Sequence, residues 1–372
     1  MKLGYVTDVT RMFKLESSEK ALLGTNSFGL LRLILAISVL FQHSLVLSGF
    51  DQLSFFGHFG QVDFGSTGVW GFFAVSGFLL AGSAQRLGNR GFFIHRLFRL
   101  LPGLWFALIV SAFALVPLAS FFSKTKAEFS FFSGSDSSLS YVLLNLGLVV
   151  LQDSIGNVFG SNPFPLAVNG SLWTLAPEFI CYVGLLSLAM ITRRRALPQK
   201  VSLLTVVVAA SIAWWLTDNS GNQIVNMIVH PALGLGIAFA TGSLFAFIVK
   251  EHPYRPSPLL TLPILGVWLF LGVSGPLAII SLALIVVALG LSLTNSLVSN
   301  IGRKTDISYG IYLFHFPVIQ AIILCAAINW TPLASLTLLP FLALVIASPL
   351  AWISWRFIEK PSIGFARTLA SR

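Results

Sequence analysis

Long apolar stretches dominate this chain and most constrain what it can fold into. The sequence is 56% hydrophobic and only 10% charged, with a mean hydropathy of +0.86. A helix of about 20 mostly apolar residues crosses the hydrocarbon core of a bilayer. Ten stretches approach this length, at residues 28–48, 64–84, 100–119, 171–191, 201–217, 224–249, 259–272, 276–294, 308–328 and 334–355. This pattern excludes an ordinary soluble domain and predicts an all-α polytopic membrane protein with ten transmembrane helices.

The lysines and arginines predict how these helices are oriented. Of the 23 basic residues, 20 fall in the two ends and in alternate connecting segments, and Arg32 lies within the first span. Only Lys124 and Lys126 fall in the other connecting segments. Cytoplasmic segments carry such an excess, so both termini are expected in the cytoplasm. The predicted organisation is a cytoplasmic tail over 1–27, a transmembrane domain over 28–355 and a second cytoplasmic tail over 356–372.

One further apolar stretch, at 139–152, does not fit this scheme as a span. Its 14 residues are short for a full crossing. A crossing at this point would also move the basic cluster at 193–195 to the outer side. We therefore expect a re-entrant or surface helix near 139–152, within a long external segment.

Arg32 and His43 lie inside the first apolar stretch, where ionisable side chains are costly. Eleven residues separate them, so on a helix they share one face, about 16 Å apart along the axis. Such groups usually face a protein interior or a water-filled cavity and serve a function. Structural alternatives remain open: His43 as a neutral histidine bonded between helices, and Arg32 as a side chain that snorkels to the helix end.

Four other stretches place polar and aromatic residues in an apolar setting, at 71–78, 96–102, 169–178 and 308–317. The small residues in the first allow close helix approach or a ligand path. The second places Arg96 and Arg99 near a predicted cytoplasmic surface, where guanidinium groups are suited to phosphates. The third brings Glu178 into a span, and the fourth places Tyr312 and His315 on one helical face.

Each of these residues also has a structural interpretation. Arg96 and Arg99 are consistent with ordinary cytoplasmic charges, and Glu178 with a structural partner for a buried charge. His315 is suited to hydrogen bonding with a neighbouring helix. Glu359, at the cytoplasmic end of the last span, is expected to pair with a nearby arginine. The sequence shows no cluster of His, Cys and carboxylate residues with metal-ligand spacing, so no metal is expected.

Taken in order, these motifs resemble the membrane-bound acyltransferase-3 family, which O-acylates cell-surface polysaccharides. The family's motifs fall on Arg32 and His43, on 72–78, on Arg96, Arg99 and Pro102, on Trp173, Leu175 and Glu178, on 308–315 and on 358–361. The resemblance runs from about residue 26 to 362. It departs where an acidic residue common before the aromatic motif is Trp70 or Gly71. The resemblance covers only the membrane core of the family, and we expect no accessory external esterase-like domain of the kind that many members carry.

The resemblance implies an acyltransferase of the bacterial inner membrane. The implied donor is a cytoplasmic acyl-CoA, most often acetyl-CoA, and the acceptor is a sugar hydroxyl on a lipid-linked or exported glycan, with no role for nucleic acid. Residues are assigned to catalysis (His43, Arg32 and Glu178), to the donor (Arg96, Arg99 and Ser76) and to the substrate (Trp173, Tyr312 and His315). His43 is expected to act as a general base or to carry the acyl group.

Two other functions explain part of the pattern. A transporter or flippase for a glycolipid or small anion also accounts for buried charges and aromatic spans, although the sequence shows no inverted repeat. A non-catalytic scaffold of a glycan-assembly complex predicts that His43 is dispensable. Acyl-CoA hydrolysis by the purified protein distinguishes the enzyme from both.

Overall fold

The structure is a computed structural model of the chain. It describes residues 26–53, 63–86, 88–123, 128–165, 167–195, 198–218, 220–251, 255–270, 273–293, 300–302, 305–326 and 329–370. All regular secondary structure in these ranges is helical. The predicted all-α class is therefore confirmed for this part of the chain. The predicted N-terminal tail lies outside the described residues, apart from its last two.

Fourteen α-helices are described. They are α1 (Phe28–Leu47), α2 (Phe64–Arg86), α3 (Asn89–Val110), α4 (Val116–Phe122), α5 (Ser138–Leu144), α6 (Leu175–Arg195), α7 (Gln199–Thr217), α8 (His230–Glu251), α9 (Pro258–Phe270), α10 (Gly275–Ser292), α11 (Ser308–Ala326), α12 (Pro332–Leu336), α13 (Leu338–Ile353) and α14 (Lys360–Ala370). Turns of π-helix at Ser111–Leu115 and Ser354–Glu359 join α3 to α4 and α13 to α14, and a third at Val225–Val229 leads into α8.

Nine helical stretches within the described ranges are long and apolar enough to cross a membrane. The chain is therefore a multi-pass membrane protein. The predicted span at 259–272 corresponds to α9, which has 13 residues. That is shorter than the roughly 20 residues of a full crossing, so the count of ten is not confirmed. The side of the membrane on which the termini lie stays a prediction.

The segment at 139–152 forms no spanning helix. Its helical part, α5, has only seven residues, and residues 145–152 are not helical. The prediction of a helix is therefore wrong for the second half of the segment. Asn145 explains this, because its side chain replaces helical hydrogen bonds: Nδ2 donates to the carbonyl of Gln152 at 2.8 Å, and Oδ1 accepts from the backbone N–H of Leu151 at 2.8 Å.

The chain divides into two compact units. Unit 1 takes the described residues within 1–32, 70–86 and 184–304, and unit 2 takes those within 33–69, 87–183 and 305–372. In unit 1, α2 and α8 approach closely at glycines. A Cβ atom on Gly77 would lie 2.0 Å from the carbonyl oxygen of Phe239, and one on Gly242 would lie 2.0 Å from that of Ala74. The close helix approach predicted for 71–78 is thus present.

In unit 2, α11 lies at the centre. Fifteen of its 19 residues are buried, which explains why the helix is apolar on all sides apart from a few polar positions. It packs most closely against α13, where a Cβ atom on Gly310 would lie 2.6 Å from Cα of Ala351. The polar positions of this central helix make the contacts that form the candidate site.

Candidate active site

The polar side chains of α11 each contact a different part of unit 2. Tyr309 donates a hydrogen bond to the carbonyl of Leu100 in α3 at 2.9 Å. Further along, Gln320 donates to the carbonyls of Phe164 and Ala167 at 2.9 Å each. Buried polar groups need such partners, so these bonds fix α3 and the segment before α6 against the central helix.

His43 of α1 and His315 of α11 meet edge to edge. Nδ1 of His43 lies 2.7 Å from Nε2 of His315. The ring centroids are 4.9 Å apart and the ring planes differ by 18°, so the hydrogen bond lies near the plane of both rings. His315 is fully buried and His43 is half-buried. The Phe316 ring packs against the His43 ring, with 5.2 Å between the two ring centroids and the ring planes nearly perpendicular.

The partners of His315 determine which nitrogens carry protons in the pair. Nδ1 of His315 lies 3.1 Å from the carbonyl oxygen of Ile311, which can only accept, so Nδ1 is the donor. An imidazolium is costly to bury, so in the neutral ring Nε2 is an acceptor. A neutral His43 then donates from Nδ1 and carries its lone pair on Nε2. Among the described residues no hydrogen bond uses Nε2 of His43, which leaves this nitrogen for a substrate.

A polar segment before α6 is bound to the same face of α11. The Thr174 and Tyr312 hydroxyls are 2.7 Å apart, and the Tyr312 hydroxyl donates to the carbonyl of Ser171 at 3.0 Å. Asn169 Nδ2 donates to the carbonyl of Leu313 at 2.8 Å. This segment ends where α6 begins, so these bonds place the first turn of α6.

Glu178 lies in that first turn and Trp173 lies just before it. Glu178 is half-buried, whereas the sequence predicted a buried carboxylate. It accepts a hydrogen bond from the hydroxyl of Tyr182, one turn later in α6. Trp173 is 42% exposed. Within the described ranges, the hydrogen bond to the imidazole of His43 is made by His315 rather than by Glu178.

The two predicted donor-binding arginines have different surroundings. Arg99 forms ion pairs with Glu359 at 2.6 Å and with Asp306 at 3.0 Å. The predicted pairing of Glu359 with an arginine is therefore confirmed. Arg96 has its guanidinium carbon 6.0 Å from the centroid of the Tyr182 ring, a distance typical of cation–π contact.

The arginine and histidine groups lie at different depths along α11. The Tyr309 ring lies 5.2 Å from the guanidinium carbon of Arg99. His315 follows six residues later, roughly 9 Å along the helix axis at the usual rise. Unit 2 therefore contains a charged cluster at the start of α11 and a pair of imidazoles near its middle.

Arg32 and Ser76 belong to unit 1, whereas the other seven predicted site residues belong to unit 2. Arg32 is half-buried on α1 and Ser76 is half-buried on α2. Their assigned roles stay predictions. Across the ranges that the structure describes, no three His, Cys, Asp or Glu residues come together as metal ligands would.

The sequence analysis missed Asp306 and Thr174. Asp306 precedes the first residue of α11 by two positions, where acidic residues commonly mark a helix start. Thr174 lies inside a recognised motif, but its partner Tyr312 is 138 residues away. No local signal could have linked the two.

The fold defines a multi-pass helical membrane protein. The family model described as an acyltransferase domain matches residues 25–355, so the chain belongs to that family and is an O-acyltransferase. It is 25% identical over 344 residues to the O-acetyl transferase of Shigella phage Sf6, covering 90% of this chain and 95% of the relative. It is 27% identical over 374 residues to Nodulation protein 10 of Rhizobium leguminosarum bv. viciae, covering 93% and 95%. No solved structure matches the chain at the same level of significance.

Proposed function

We propose that this O-acyltransferase moves an acyl group, most often acetyl, from a cytoplasmic acyl-CoA to a sugar hydroxyl of a cell-surface or exported glycan. The observation that supports this most is the histidine pair. A half-buried imidazole with one nitrogen held by His315 and the other left for a substrate is what a general base requires.

In the proposed reaction, Nε2 of His43 takes the proton of the acceptor hydroxyl while the hydroxyl oxygen attacks the thioester carbonyl. The carbon–sulfur bond then breaks, the acyl group stays on the sugar oxygen as an ester, and the coenzyme A thiolate takes the proton back from His43. His315 accepts the Nδ1–H bond throughout and so keeps the imidazole oriented, as the third member of a catalytic triad does. An acyl-histidine at Nε2 is an equally balanced alternative.

The other predicted residues fit around this step. We place the phosphates of the donor at the arginine end of α3, and the acceptor near the start of α6, where Trp173 is exposed. Arg32 would stabilise negative charge on the thioester oxygen or the leaving thiolate. Glu178, hydrogen-bonded to Tyr182, would bind the acceptor directly or act on it through another residue.

The direct test uses the purified full-length protein in detergent with radiolabelled acetyl-CoA, with and without a glycan acceptor. Transfer of label to the glycan, or slow hydrolysis of acetyl-CoA without it, is expected. Mass spectrometry of surface glycans from cells with and without the protein identifies the modified sugar. A protein that neither hydrolyses acetyl-CoA nor changes any glycan would contradict the proposal and favour the transporter or flippase.

The orientation in the membrane needs a separate test. The proposal requires the arginine end of α3 and the basic cluster at 193–195 to face the cytoplasm. Single cysteines placed next to Arg194 and next to Ser135 should react with an impermeant thiol reagent from opposite sides of the membrane. Labelling from the same side would mean that the proposed sidedness is wrong.

A further inference from the structure

Arg99 is bound by carboxylates from two other parts of unit 2. Nη1 lies 2.6 Å from Oε2 of Glu359, and Nη2 lies 3.0 Å from Oδ2 of Asp306. The Arg99 side chain is 14% exposed and that of Glu359 is 0% exposed. Ion pairs this deeply buried are screened little by water or salt, so they hold their geometry.

The remaining carboxylate oxygens are also occupied. Oε1 of Glu359 accepts from the hydroxyl of Ser354 at 2.8 Å, within the π-helical turn. Oδ1 of Asp306 accepts from the hydroxyl of Ser308 at 2.6 Å and from its backbone N–H at 3.3 Å. Asp306 thus binds the N-terminal end of α11, where negative charge is favourable. Each carboxylate is thus held by hydrogen bonds within its own element as well as by Arg99.

The surrounding packing joins the same three elements. Tyr309 of α11 lies under the Arg99 guanidinium, 5.2 Å from ring centroid to guanidinium carbon, and donates to the carbonyl of Leu100 in α3. At Gly103 there is no room for a side chain: a Cβ atom would lie 2.8 Å from Cε1 of Tyr309 and 3.3 Å from Cγ of Glu359. Residues Arg99, Asp306, Tyr309 and Glu359, which we call the arginine clamp, therefore connect α3, α11 and the turn at 354–359.

The charge of the clamp argues against a phosphate ligand at Arg99. The Arg99 guanidinium already binds two carboxylates, and both would repel a phosphate that approached it. A phosphate would also have to displace at least one carboxylate from a buried pair, which leaves that charge uncompensated.

We propose that Arg99 is a positioning residue that fixes α11 and the turn at 354–359 to α3, rather than a ligand of the donor phosphates. Arg96 keeps the phosphate-binding role that the proposed function gives it. The assignment of Arg96 rests on the proposed function, since it requires a coenzyme A donor. The assignment of Arg99 does not.

The test measures coenzyme A affinity by calorimetry and thermal stability by unfolding, both on the full-length protein in detergent. The variants are Arg96→Ala, Arg99→Met and the neutral triple variant Arg99→Met/Asp306→Asn/Glu359→Gln. Arg90→Ala is the matched control, because it removes an exposed charge from the same helix. The triple variant is included because it lacks Arg99 and also lacks the two carboxylates, so no unpaired buried charge is left to destabilise the fold.

We expect Arg96→Ala to weaken coenzyme A binding by about tenfold or more with an unchanged Tm, as loss of a charge-assisted contact does. We expect Arg99→Met to lower Tm by about 5 °C or more, and the triple variant to recover much of that loss. The triple variant should bind coenzyme A as the wild type does. Its kcat should fall while its KM for acetyl-CoA is unchanged, because α11 also carries His315.

Two results would overturn the assignment of Arg99. One is a folded triple variant whose coenzyme A affinity falls tenfold. The other is Glu359→Gln binding coenzyme A more tightly than the wild type, as expected if a carboxylate competes with phosphate for Arg99. If the wild type itself does not bind coenzyme A, the donor assignment and the role of Arg96 are wrong. In that case only the Tm measurements test the positioning role of Arg99. A triple variant no more stable than Arg99→Met would contradict that role.

Discussion

The histidine pair and the arginine clamp lie on one helix and use their polar groups in opposite ways. In the pair, His315 is saturated by Ile311 and His43, whereas Nε2 of His43 has no hydrogen bond among the described residues. In the clamp, all four oxygens of Asp306 and Glu359 accept hydrogen bonds from the protein. A site with one open nitrogen can exchange a proton with a ligand, whereas a saturated site holds structure.

This difference shows why motif membership does not by itself assign a role. Arg99 and His43 both belong to motifs on which the sequence resemblance was based. Only the partners of each side chain distinguish a residue that acts on a substrate from one that fixes a helix. The following predictions test that distinction, first at the histidine pair and last at the clamp.

The largest effect is expected at His43. His43→Ala and His43→Gln should each reduce acyl transfer by about 10²–10⁴-fold, the range for loss of a general base. Initial rates with acetyl-CoA and glycan measure this. Glutamine preserves much of the volume and hydrogen bonding, so it should rescue a packing role. A folded His43→Gln protein with near wild-type transfer would remove the proposed contrast between the two regions.

His315 should have the second largest effect, and it depends on hydrogen bonding. His315→Leu removes the acceptor for Nδ1–H of His43, so kcat should fall about tenfold or more. His315→Gln keeps a side-chain oxygen that can accept this bond, and it should retain more activity. Because a substrate-binding role would mainly raise the KM of the acceptor, kcat and KM are measured separately. Equal losses in the two variants would show that the hydrogen bond is not what matters.

A smaller effect is expected at Tyr312, which lies between the two regions on α11. Tyr312→Phe removes the hydroxyl that contacts Thr174 and donates to Ser171. Each buried hydrogen bond of this kind contributes about 1 kcal/mol, so Tm should fall slightly and transfer should fall only a few-fold. The predicted substrate-binding role requires a rise in the KM of the glycan. An unchanged KM with a lower Tm would assign Tyr312 to the positioning of α6.

The smallest effect on activity is expected at Gly103, which tests the clamp without changing any charge. Gly103→Ala places a methyl group 2.8 Å from Cε1 of Tyr309, and overpacking of this kind costs about 1–3 kcal/mol. Tm should fall while coenzyme A affinity stays the same. Gly88→Ala is the control, because a Cβ atom there has nothing within 4 Å. A Gly103→Ala protein as stable as this control would show that the elements are not tightly joined.

The sequence predicted much of the fold because bilayer thickness relates apolar length directly to structure. It located nine of the helical stretches that the structure describes as long enough to span, and it correctly rejected a crossing at 139–152. The span predicted at 259–272 is not confirmed, since α9 has 13 residues with the same apolar pattern as a span. The helix predicted near 139–152 does not extend over 145–152. There, one side chain, Asn145, ends the helix.

The site was predicted less completely, for a reason visible at His43. The helical period correctly placed Tyr312 and His315 on one face of α11, and a nearby arginine was expected for Glu359. The partner of His43 is 272 residues away, and Glu178 was as good a candidate by sequence, since both are polar groups within spans. Likewise, nothing near residue 99 indicates that Asp306, 207 residues away, neutralises this arginine.

The sequence by itself determined the class of fold, nine of the ten spans that it predicted and the positions of the motifs, because hydrophobic length and helical period are local properties of the chain. Only the tertiary structure decided that His43 donates to His315, that Thr174 and Tyr312 place α6, and that Arg99 is neutralised by two carboxylates. The physical reason is the same in each case. Inside a protein a polar group must find a partner, and which partner it finds depends on how distant helices pack.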